Sequence, residues 1–93
     1  MAELAEAMRA LPPLEEALAR AGAKLTMRKR ASEAARGAAK ELRADATPAE
    51  RQEIQAEVKE TADRVKETER AKREAVAAHA DAQQRLEAAL EAD

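Results

Sequence analysis

Leu4, Met8 and Leu11 recur at helical spacing before Pro12-Pro13 interrupts the pattern. This predicts a short helix over residues 2–11. Pro13 fits the first turn of a following helix, where its missing N–H costs nothing, and Glu15 and Glu16 suit the positive helix start. That second helix is predicted over residues 13–44. Leu14, Leu18, Ala21 and Leu25 form its first apolar stripe. Beyond Gly22 the apolar face moves: Met27, Ala31, Ala35, Ala38 and Leu42 make a second stripe, rotated roughly 100° from the first. Gly22-Ala23 therefore marks either a kink or a helix end.

The clearest break is Thr47-Pro48-Ala49-Glu50, with Thr at N-cap, Pro at N1 and Glu at N3, a capping box. Asp45-Ala46 before it leaves a tight connection, so the flanking helices should run antiparallel. A last helix over residues 48–92 follows; from Ala49 to Asp93 there is no Gly or Pro, and those 45 residues would span about 67 Å. Its six large aliphatics, Ile54, Val58, Val65, Val76, Leu86 and Leu90, fall within about 80° on a helical wheel. They are the candidate packing seam, diluted by Thr61, Thr68, Lys72, His79 and Gln83 in the same arc. Glu60→Arg64, Glu69→Arg73 and Asp81→Arg85 are favourably oriented i,i+4 pairs. Folding the chain back at Ala46 pairs residues whose numbers sum to about 93, and the first 44 residues cover the whole last helix.

The pattern predicts one all-α domain over residues 1–93: a long antiparallel helical hairpin or coiled coil with a short extra N-terminal helix. Composition agrees. Of the 45% apolar residues 27 are Ala and 15 are larger, and there is no Phe, Tyr or Trp. Aromatics dominate ordinary cores, so narrow helix–helix seams are expected instead of a compact globule. Net charge is −2 and Cys is absent, so neither a general pull towards polyanions nor a disulfide framework is expected. No apolar run approaches the ~20 residues of a membrane span, and a cytosolic protein with no membrane partner is the expectation.

Candidate chemistry is sparse. The single Ser32 and single His79 would lie about 27 Å apart in the hairpin, too far for nucleophilic catalysis. His79 has Ala75 and Gln83 at i±4, which is no ligand set. The paired carboxylates lie on solvated faces, with no cleft to place them for general acid–base work. No catalytic, cofactor or metal site, no cofactor and no small-molecule substrate is expected; the chain reads as non-enzymatic. One charge feature stands out. Residues 24–43 hold seven basic side chains against two acidic, a local +5. Lys29, Arg36, Lys40 and Arg43 share a stripe about 60° wide that could track phosphates. The alternative is pairing with Glu53, Glu57 and Glu60 of the last helix.

Residues from about Leu14 to Leu90, centred on Ala46-Thr47-Pro48-Ala49-Glu50-Arg51, resemble the N-terminal helical arm of bacterial seryl-tRNA synthetases. The α-subunit of phenylalanyl-tRNA synthetase has a similar hairpin. The resemblance implies a long antiparallel coiled coil that contacts tRNA. The class II catalytic domain of that family is not in these 93 residues, so aminoacylation is not implied, and Met1–Leu11 followed by Pro-Pro departs from its pattern. No individual residue carries over as a tRNA contact. Two functional classes stay open. One is an interaction module binding another protein, or RNA through the basic stripe. The other is a structural coiled-coil subunit, viral or designed, that self-associates through its long helix.

Overall fold

Two helices account for 92% of the described residues, 2–92, in a computed structural model. Helix α1 runs over Ala2–Lys40 and α2 over Pro48–Ala92, with no strand among the described residues. Ala, Leu, Glu, Lys and Arg dominate both, which are the residues that lose least on entering a helix. The chain divides into two compact units. Met1–Ala23 with Arg70–Asp93 forms the first, and Lys24–Glu69 forms the second. Each pairs a stretch of α1 with an antiparallel stretch of α2.

The pairing in each unit follows a seven-residue repeat. In the second unit, Leu25, Arg28, Ser32, Ala35, Ala39 and Leu42 are buried or half-buried on the α1 side, facing Ile54, Val58, Thr61, Val65 and Thr68. In the first unit, Leu4, Ala7, Leu11, Leu14, Leu18 and Ala21 face Lys72, Ala75, His79, Ala82, Leu86 and Ala89. Steps of three and four alternate without a skip in every set. That spacing averages 3.5 residues per turn and defines a left-handed coiled coil.

The helix boundaries differ from the sequence expectation in two places and decide between its alternatives in a third. First, α1 continues through Pro12 and Pro13, so there is no separate N-terminal helix. The two prolines remove the N–H groups that would bond the carbonyls of Met8 and Arg9. Those residues are exposed, so water can serve the freed acceptors. Leu11 and Leu14 stay in the seam on either side and hold the backbone in helical register. Second, of the two readings left open at Gly22 the helix end is excluded, since the residue lies inside α1 with no positive φ. The rotation of the apolar face that suggested a break is an effect of Met27, Ala31 and Ala38, which are exposed and not part of the seam.

Third, α1 ends at Lys40, not Ala44, and residues 41–47 form the connection. The last α1 turn closes through Glu41 N–H to Gly37 O at 3.1 Å and Leu42 N–H to Ala39 O at 3.4 Å. Arg51 fastens the connection that follows. Its guanidinium donates to the carbonyls of Ala44 at 2.9 Å, Arg43 at 3.4 Å and Ala46 at 3.4 Å, so the connection is wrapped against the first turn of α2. Thr47 caps α2 as expected, its hydroxyl accepting from Glu50 N–H at 3.1 Å. The reciprocal half of the capping box, Glu50 to Thr47 N–H, is not formed.

A Cβ added at Gly22 meets nothing within 4 Å, and the residue has helical φ. Gly22→Ala should therefore stabilise the protein by about 0.5–1 kcal/mol in urea titration, because Ala loses less backbone entropy inside a helix. A destabilised variant would mean that the helix breaks there.

Candidate interaction surfaces

The packing seam explains most, but not all, of the expected aliphatic stripe on α2. Ile54, Val58, Val65 and Leu86 are half-buried in the coiled-coil seam. Val76 is 47% exposed and Leu90 is 56% exposed, so these two lie outside it. A straight helix at 3.6 residues per turn drifts about 20° per heptad against a 3.5 repeat. Over the five heptads from Ile54 to Ala89 the drift reaches about 100°. The seam therefore rotates onto Ala75 and Ala89, leaving the neighbouring Val76 and Leu90 on its flank.

Polar side chains enter this seam without orphaned groups. Thr68, 5% exposed, donates to Arg64 O at 2.8 Å, and Thr61 donates to Glu57 O at 2.8 Å and Val58 O at 3.1 Å. Each hydroxyl is served by its own helix, so neither needs a cross-helix partner. No buried side-chain N or O among the described residues lacks a hydrogen bond. Ser32 is 5% exposed in the second unit, beside Ala62 and Val65, whereas His79 sits in the first. His79 Nε2 lies 3.9 Å from Glu15 Oε1 across the first unit's seam. Among the described residues no cluster of three or more His, Cys, Asp or Glu side chains could hold a metal.

The four residues of the basic stripe are all exposed. Lys29, Arg36 and Lys40 lie on α1, whereas Arg43 lies in the connection and its carbonyl is held by Arg51. None of the four forms an ion pair with Glu53, Glu57 or Glu60; Glu60 instead pairs with Arg64 at 2.5 Å on its own helix. Lys29 and Arg36 open onto a shallow groove shared with Glu33, Lys66 and Glu69. Glu69 is half-buried there, and no Glu69–Arg73 pair forms; Asp81–Arg85 at 3.2 Å and Glu16–Arg20 at 2.5 Å do form.

A second, more apolar groove runs along the first unit. Alanines from both helices, Ala7, Ala10, Ala78, Ala82, Ala88 and Ala89, line it with Leu14, and Glu3, Glu6, Asp81 and Arg85 border it. Counting large aliphatics does not find this groove, because its floor is alanine. The signal for it is a pair of alanines one turn apart on each helix, Ala7 with Ala10 and Ala78 with Ala82. Likewise, no sequence rule singled out Arg51; its role follows from a connection long enough to fold beneath the guanidinium.

No family model, curated protein or solved structure matches this chain. No helix among the described residues is long and apolar enough to cross a membrane.

The two valines separate the seam from its flank. Val65→Ala should cost about 1 kcal/mol in chemical denaturation, close to the transfer value of the methylene-scale area lost. Val76→Ala should cost less than half as much. Equal losses would place both side chains in the seam and contradict the 3.5-residue repeat.

Proposed function

We propose that this protein is a non-catalytic helical-hairpin module that works by protein–protein assembly. The carrying observation is how little apolar surface the hairpin buries. Among the described residues only Leu25, Ala35 and Ala82 are buried apolar residues, and no side chain is fully buried. Met8, Met27, Val76 and Leu90 stand 47–70% exposed. The protein exposes 7224 Å² at a mass of 10.1 kDa, whereas a compact monomer of that mass exposes about 5300 Å². The difference, about 1900 Å², is more than twice the roughly 800 Å² that each partner buries in a standard protein–protein interface. With conformational entropy of about 1–2 kcal/mol per residue opposing folding, so thin a core leaves the isolated hairpin marginal. A partner supplies the missing burial.

A second reading, RNA binding, is favoured by one specific observation: Lys29, Arg36, Lys40 and Arg43 are exposed and not neutralised by the acidic residues of α2. The sequence resemblance to a tRNA-contacting arm points the same way. Against it stand the net charge of −2 and the absence of any aromatic side chain on which bases could stack.

Assembly makes stability depend on protein concentration. The melting temperature should rise when concentration increases about 100-fold, by mass action on the folded complex, or on titration with the cognate partner. A sharp, concentration-independent melt above about 80 °C in a proven monomer would remove the need for a partner.

For the RNA reading, wild-type protein should retard a structured RNA such as tRNA at ~50 mM salt. Replacing all four basic residues by Gln should then abolish most of the affinity and reduce the salt slope by about 3, at roughly 0.7–0.9 per phosphate contact. No retardation by the wild type eliminates this reading.

A further inference from the structure

Building on the assembly reading, we propose that the partner is a second copy of this chain, whose basic α1 segment docks along the alanine groove of the first unit. The floor of that groove, including Ala10, Leu14 and Ala82, is apolar and made of small side chains, so a helix can approach closely. Its border is acidic. Asp81 is taken up by Arg85 at 3.2 Å, but Glu3 and Glu6 form no ion pair.

Charge complementarity selects the occupant. The first unit, 1–23 and 70–93, holds six basic and nine acidic side chains, a net of −3, whereas the second, 24–69, holds eleven basic and ten acidic, a net of +1, with seven of the basic residues on 24–43. The exposed stripe on that segment is therefore the chain's own complement to the groove. Lys and Arg suit an alanine floor, because their aliphatic stems cover methyl groups while their charged ends reach the bordering carboxylates. Dimensions agree. The helical rise makes the eleven-residue separation from Lys29 to Lys40 about 16 Å, equal to that from Ala78 to Ala89 along the groove. The stripe is also available for docking, since its three α1 residues are exposed while Leu25, Ser32 and Ala35 of the same helix face α2.

The test is sedimentation velocity on the full chain from about 1 μM to about 1 mM, at about 50 mM and about 500 mM salt. Average mass should rise with concentration at low salt and fall back at high salt. Two variants carry the argument: Lys29→Glu with Arg36→Glu and Lys40→Glu, and separately Glu3→Lys with Glu6→Lys. Each should keep its helical circular dichroism and weaken self-association by at least about tenfold, because like charges now meet. An equimolar mixture of the two variants should recover association, since each then supplies the half the other needs.

A wild type that stays monomeric throughout overturns the proposal, as does association that survives both charge reversals or a mixture that remains monomeric. Failure of the wider assembly reading looks different. A monomer that melts at low temperature still needs a partner, which is then another protein. A monomer that melts sharply above about 80 °C needs none.

Discussion

Two helices that meet through alanine can approach more closely than two that meet through leucine, but each contact removes less apolar surface from water. That trade governs this molecule. Both seams alternate steps of three and four, and many of the positions are Ala, Ser or Thr. The repeat holds antiparallel helices in register in each unit. The small side chains leave burial so slight that no described side chain is wholly covered. Polar seam positions follow from the same constraint: Thr61 and Thr68 can sit between helices because each returns its hydroxyl to a carbonyl one turn back.

Element type and chain direction were legible in the sequence, because Thr47-Pro48-Ala49-Glu50 carries a start signal and the alanine content leaves little else to form. The seam was legible only in part. Reading α2 at 3.6 residues per turn places Val76 and Leu90 with Ile54 and Val65, which holds locally and fails over several heptads. Searching for large aliphatics also hid the repeat, since Ala75, Ala82 and Ala89 carry it where Val76 and Leu90 do not. Pro12-Pro13 misled for a related reason. Each is a local argument against helix, outweighed by seam residues on both sides. The connection was the least legible part, because Arg51 fastens it through backbone carbonyls that could belong to any residue type.

The basic stripe shows why charge counting must be joined to geometry. Acidic residues on α2 were available as partners for Lys29, Arg36 and Lys40, yet Glu60 is satisfied within its own helix by Arg64. An i,i+4 pair forms between groups already held one turn apart, whereas a cross-helix pair must order two long side chains for a gain of about 0–1 kcal/mol. Local pairing takes Glu60, and Lys29, Arg36 and Lys40 stay exposed.

A net charge of −2 conceals blocks of opposite sign along the chain, +5 over residues 24–43, −4 over 44–69 and −3 over 1–23 with 70–93. Patterning of this kind gives the folded monomer little, since an exposed ion pair is worth only about 0–1 kcal/mol. Its effect is on encounters between molecules. A basic block meeting an acidic block of another copy gains attraction that the monomer does not use, whereas matching blocks repel, so the arrangement selects orientation as well as partner. In a hairpin whose seam buries so little, the same contact that selects the partner also covers apolar surface the monomer leaves in water. Recognition and stability are then carried by one interface, and salt should act on both together.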